Sequence, residues 1–220
     1  MTATQTMVKG QAVKSRHRVK TYGEVFTPRH MVDRMLDLVR EELETGPAFV
    51  DKTFLEPAAG DGNFLVAILR RKLQAIEKRC PAEEWPQESL FAVASIYGIE
   101  LLEDNHRDAK AIMLAEFLGF HQSHSVACDP GTDLHKAAAF LIDTNVVGGD
   151  TLTGLDWQGE EIQFSWWNRI TGAHVMVQRE PFTLASLRGS GLNFAMDFTV
   201  YDSYAACRID QVHEEAKADG

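Results

Sequence analysis

Cysteine is scarce in this sequence, with three in 220 residues, at positions 80, 128 and 207. An odd, widely spaced set excludes a disulfide framework and points to a reducing, cytoplasmic compartment. No apolar run reaches about eighteen residues, so no membrane-spanning helix is expected. No apolar segment follows the basic residues at the amino terminus, so a secretory signal is not expected. No two of the seven prolines are adjacent, which excludes any loop built on a Pro-Pro pair. The first 23 residues contain no acid. They carry Lys9, Lys14, Arg16, Arg18 and Lys20, which splits the net charge of −10 into +5 for this arm and −15 for the remainder.

What is present reads as globular. Hydrophobic residues make up 45% and charged residues 25%, enough for a sizeable core in one domain. Residues 1–20 are expected to be a disordered basic arm, 21–213 a single domain and 214–220 a frayed tail. Lys14, Arg16, Arg18 and Lys20 of the arm either touch nucleic-acid phosphates or belong to a soluble tail. The acidic body is a poor general grip for duplex DNA.

The most informative stretch is Phe54-Leu55-Glu56-Pro57-Ala58-Ala59-Gly60-Asp61-Gly62-Asn63-Phe64-Leu65. It predicts a buried strand stopped by Pro57, a glycine turn, and a helix opened by Asn63, together spanning about 53–79. Gly60 and Gly62 permit positive φ and close approach of a ligand to the main chain. Before it, Thr27-Pro28 predicts a hydroxyl-capped helix running to about Glu44. After it, Cys80 to Pro86 reads as a polar connection. Phe91, Val93, Ser95, Tyr97 and Ile99 read as a second apolar run ending at Glu100. Helices are predicted from Glu103 to about Leu118 and from Gly131 to Ile142, then a strand over 145–152 ending in Asp150. Strand–helix alternation implies a parallel α/β sheet with Glu56, Glu100 and Asp150 at the strands' carboxyl ends. Beyond Asp150 the pattern changes. Residues 161–178 alternate with period two around Thr171-Gly172, predicting an antiparallel hairpin, and 193–213 read as one or two further strands.

A dinucleotide fingerprint is disfavoured. Gly62 and Glu100 are 38 residues apart against about twenty for that motif, and Leu65 stands where its third glycine belongs. His121, His124 and Cys128 have superficial metal-ligand spacing but read as a polar loop, and no metal is expected.

Gly23-Glu24-Val25-Phe26-Thr27-Pro28 followed by the glycine-turn stretch resembles the amino-methylating DNA adenine (N6) methyltransferases, nearest to the modification subunits of restriction–modification systems. The likeness covers about residues 22–155. It implies a Rossmann-like methyltransferase fold, here with a shortened, partly antiparallel carboxyl half, and S-adenosylmethionine as cofactor. It further implies that Thr27 and Pro28 border the methionine end, that Glu56, Ala58 and Gly60 line the cofactor, that Glu100 holds the ribose, and that Asp150 with Leu152 faces the adenine. Phe26, Pro57, Gly62, Asn63, Phe64 and Leu101 complete the implied cofactor set. The chain departs from the family in one respect: the catalytic Asn/Asp-Pro-Pro-Tyr/Phe loop is absent. Asn168, in Trp166-Trp167-Asn168, is the single catalytic candidate, against a reading of that stretch as hairpin packing. Three expectations stay open. The chain is a cofactor-binding half needing a partner subunit that supplies catalytic or target-recognition parts; or it is a non-catalytic decoy, regulator or cofactor sink; or it methylates through an unrecognised loop.

Overall fold

The computed structural model describes residues 15–22, 24–25, 27–170, 175–189 and 204–215. Three parallel strands form its centre. β1 (Phe54–Glu56) pairs with β2 (Ile96–Glu100), and β2 pairs with β3 (Val146–Asp150). The two-residue strand β4 (Leu155–Asp156) adds antiparallel to β3, giving a mixed sheet in the order β1-β2-β3-β4. β1 is therefore an edge strand among the described residues.

Helices cover one face of this sheet. Preceding it are α1 (Arg16–Tyr22) and α2 (Arg29–Asp37). Between β1 and β2 run α3 (Asn63–Arg79) and α4 (Trp85–Ala94). Between β2 and β3 run α5 (Glu103–Ser123) and α6 (Asp133–Asn145). Ile96 of β2 and Val146 of β3 point into the core that Leu65, Leu69, Leu90, Phe117 and Leu141 of these helices fill. Tyr97 and Ile99 alternate to the opposite face. There they meet a second sheet made of β5 (Gln163–Arg169), β6 (Met176–Thr183) and β7 (Cys207–Arg208). Phe164, Phe182 and Leu184 bury against Tyr97 and Ile99. The Tyr97 hydroxyl donates to the Ser165 carbonyl at 2.8 Å. Trp166 stacks on Phe182 with ring centroids 4.3 Å apart.

Several expectations change. Residues 16–20 of the arm expected to be disordered belong to the helix α1. Thr27 does not cap α2: Pro28 holds the cap position, its carbonyl accepts from Val32, and no side chain caps the end. The helix expected to run to Glu44 divides into α2 and a π-helical turn, Glu41–Thr45. That wide turn buries Leu43 while Arg71 of α3 pairs with both Asp37 and Glu44. Trp85–Ala94, read partly as connection and partly as strand, is helical. Its residues 90–94 are all buried, so no polar face reveals the 3.6-residue period. The hairpin forms as expected in register Gln163↔Thr183 to Arg169↔Val177, with its predicted Thr171-Gly172 turn outside the described residues. Of the strands expected over 193–213, residues 193–203 lie outside the described residues; Cys207–Arg208 is a strand and Ile209–Glu214 a 3-10 helix docked by buried Ile209 and Val212. Glu215, placed in the frayed tail, is tied down by Arg179 of β6. Among the described residues, no helix is long and apolar enough to cross a membrane.

Candidate functional site

The turn after β1 is where chain geometry and polar chemistry meet. Gly60 and Gly62 have φ of 57° and 90°, the left-handed region that side chains resist. A Cβ at Gly62 would lie 2.8 Å from the Ala109 Cα of α5, so the turn is also pressed against a helix. The Ala59 N–H donates to the Ile99 carbonyl at 2.9 Å, which fastens the turn to β2.

Glu100, at the end of β2, organises the next layer. Its carboxylate accepts from the Gly60 N–H at 2.7 Å, the Leu102 N–H at 3.0 Å and the Asn105 side-chain amide at 3.3 Å. The Asn105 amide also donates to Glu24 at 2.8 Å. Glu24 in turn accepts two bonds from the Arg18 guanidinium, at 2.8 and 2.6 Å. Arg18 also donates to both oxygens of Asp104, at 2.8 and 3.0 Å. Asp104 and Glu24 together hold the Arg18 guanidinium even more firmly protonated than usual.

At the end of β3, Asp150 accepts from the Leu152 N–H at 2.8 Å, and the Thr151 hydroxyl donates to the Pro57 carbonyl. The strand ends enclose a cavity of about 400 Å³. Pro57, Ala58 and Gly60 line one side; Glu100, Leu101 and Asn105 line another; Asp150 and Leu152 close it. Glu24 and Val25 bring the amino-terminal segment to the same wall. Among the described residues no Lys or Arg lines this cavity, while three carboxylates do. Such a site suits a cation or a donor of N–H or O–H groups and opposes phosphate.

Trp157 braces the wall from behind. Its ring N–H donates to the Leu101 carbonyl at 2.9 Å, and its ring meets His106 edge-on. It lies across Gly148, where a Cβ would stand 2.4 Å from the indole.

Seven of the expected site residues thus converge: Pro57, Ala58, Gly60, Glu100, Leu101, Asp150 and Leu152. Gly62, Asn63 and Phe64 build the turn and helix behind it without lining the cavity. Glu56 folds onto the Ala58 N–H at 3.1 Å, and burial raises its pKa against that bond. Thr27 and Pro28 do not line the cavity, and Phe26 lies outside the described residues. Glu24, Val25, Leu102, Asn105, Gly149 and Thr151 were not anticipated. Glu24 and Asn105 are 81 positions apart, and no local pattern marks that they meet.

The other candidates lie elsewhere. Asn168 is at the far end of the molecule, lining a separate cavity of about 190 Å³ with Asp51 and Ser95, which precede β1 and β2. Its amide donates to Glu180 across the hairpin at 2.9 Å. Arg18 is ion-paired rather than offered to phosphate. Lys20 is exposed, and Lys14 lies outside the described residues. His121 is buried against Ser89, 2.9 Å away, and burial pushes it down to about 4. His124 bonds the Phe120 carbonyl and Glu77. No cluster of three or more metal-ligating side chains occurs among the described residues. A larger open groove of about 740 Å³ between α3 and α5 contains none of the converging residues. Against protein-family models, curated proteins and solved structures alike, the chain has no match.

Proposed function

We propose that the chain binds S-adenosylmethionine in the cavity at the carboxyl ends of β1, β2 and β3. On this reading it is a protein of the DNA adenine N6-methyltransferase family, of restriction–modification type, that needs a partner for catalysis. One observation carries the reading: the glycine turn, Glu100 and Asp150 converge on one acidic cavity of about 400 Å³, within the usual range for small-ligand sites. The residues fit the group. S-adenosylmethionine bears a sulfonium, an ammonium, ribose hydroxyls and an adenine amine, all complementary to carboxylates and main-chain carbonyls. When bound, it supplies an electrophilic methyl group. Glu100, with a carboxylate already oriented by Gly60 and Leu102, is the ribose acceptor. Asp150, oriented by Leu152, accepts from the adenine amine. The fold assignment, a Rossmann-like methyltransferase domain with a shortened carboxyl half, is part of the same proposal.

A second reading, a non-catalytic methyltransferase-like binding or regulatory protein, has its own support. A doubly wound sheet continues past its first strand on the other side. Here β1 is the edge among the described residues, Leu55 on it is 41% exposed, and Asn168 sits away from the cavity.

Titration calorimetry with S-adenosylmethionine tests the binding step. A dissociation constant in the micromolar range is expected, and absence of binding at millimolar cofactor overturns the proposal. Radiolabelled methyl transfer to mixed-sequence DNA separates the two readings. Incorporation by the isolated chain removes the second.

A further inference from the structure

The amino-terminal helix is wired to the ligand cavity by side chains that the cofactor reading does not use. Arg18 projects from α1 and clamps Glu24 and Asp104. Its main-chain carbonyl also accepts from the Glu24 N–H at 3.5 Å, so α1 holds Glu24 through both backbone and side chain. One Asn105 amide nitrogen then bridges Glu24 and Glu100. Glu100 fixes the Gly60 and Leu102 amides. A continuous polar chain therefore runs from α1 to the glycine turn. Asn105 is 1% exposed and Glu24 9%, so water offers them little substitute.

Charge makes the chain sensitive at one point. Glu24 and Glu100 are two buried carboxylates reached by one amide, and Asp104 lies beside them. Arg18 is a cation that offsets Glu24. Without it, the buried Glu24 carboxylate loses a charge partner and holds a proton more readily, and the weaker acceptor that results loosens the bond from Asn105. We propose that Arg18 and Asn105 are positioning residues that couple docking of α1 to ligand binding at Glu100. The inference rests on the cofactor reading only for the choice of probe.

The test uses the full chain, S-adenosylmethionine and amide hydrogen exchange. In the wild type, cofactor is expected to slow exchange across Arg16–Tyr22. Arg18→Ala is expected to weaken cofactor binding about tenfold and to abolish that slowing. Adding Glu24→Gln to Arg18→Ala removes the charge that Arg18 offset, keeps an amide oxygen for Asn105, and should restore affinity to within about threefold of wild type. A merely structural role would lower Tm in both variants without this rescue. Wild-type binding with unchanged exchange in α1, equal affinity in Arg18→Ala, or no rescue overturns the coupling. Should the wild type bind no cofactor, the functional reading falls and the coupling is judged on ligand-free protein. There, Arg18→Ala must speed exchange at the Gly60 and Leu102 amides; unchanged exchange at both sinks it.

Discussion

The two ends of the same parallel strands are built to opposite purposes. At the amino-terminal ends, side-chain donors seal the backbone. Lys72 of α3, fully buried, donates to the Val50 and Lys52 carbonyls at 2.9 and 2.6 Å and to the Ser95 hydroxyl at 2.6 Å. Asn145 donates to the Ala94 carbonyl and accepts from the Trp167 ring N–H. Arg169 bonds Asp51 and both oxygens of Glu88 and lies 3.6 Å from the centre of the Phe91 ring. At the carboxyl ends, carboxylates receive backbone amides around an open cavity. The difference teaches that an open end needs acceptors held in place by their neighbours, whereas a closed end needs every carbonyl answered. The first arrangement suits a ligand, and the second suits stability.

Changes at the closed end should cost the most stability. Lys72→Met keeps the length of the side chain but leaves two buried acceptors and one part-buried acceptor without their donor, so a loss of about 3–5 kcal/mol is expected in urea unfolding. Cofactor affinity of the protein that remains folded should be unchanged. A fall in affinity larger than the fall in stability would erase the distinction between the two ends.

The pH dependence sharpens the same point. Burial pushes Lys72 down to about 7, with Asp51 opposing. Between that value and the ordinary lysine range the unfolded chain binds the proton that the folded chain has released. Stability should therefore rise with pH from about 7 to 10, by at most about 4 kcal/mol. Lys72→Met should flatten this rise. A stability that falls over this window in the wild type would refute the assignment.

Arg169→Ala should cost about 3 kcal/mol, because Glu88 is left half-buried without its partner and the Phe91 face is uncovered. Hydrogen exchange in β5 should accelerate, while exchange at Gly60 stays slow.

At the open end the effects should appear in binding rather than folding. Asp150→Ala should weaken S-adenosylmethionine binding by about 1–3 kcal/mol through a lost hydrogen bond, with a Tm close to wild type. Unchanged affinity would move the adenine away from β3. The smallest effect is expected for Gly148→Ala, where the new methyl displaces Trp157 from the Leu101 carbonyl. About 1 kcal/mol of stability and a red-shifted tryptophan emission are expected. An unaltered spectrum would show that the indole does not rest on Gly148.

Much of the open end was legible because it is local. Strand, proline, glycine pair and helix lie within one short stretch, and each residue acts through its own backbone preference. Glu100 and Asp150 were legible because strand ends have a simple signature of apolar run followed by acid. The closed end was hardly legible. Lys72 reads as an ordinary charged residue on a helix, and only the packing of α3 over the segment before β1 makes it a buried donor. α4 was misread because complete burial removes the amphipathic period. The ion-pair role of Arg18, read from sequence as a candidate phosphate contact, and Asn105 altogether escaped because their partners come from segments as much as 86 and 81 positions distant.

The sequence alone determined the mixed α/β character, the glycine turn and the acids placed beside it, because these follow from short-range backbone and patterning rules. Only the tertiary structure decided that α1 is tied to the cavity, that Asn168 stands apart from it, and that β1 is the edge among the described residues. Those facts depend on which distant groups can satisfy each other once water is excluded, and no window of neighbouring residues records that.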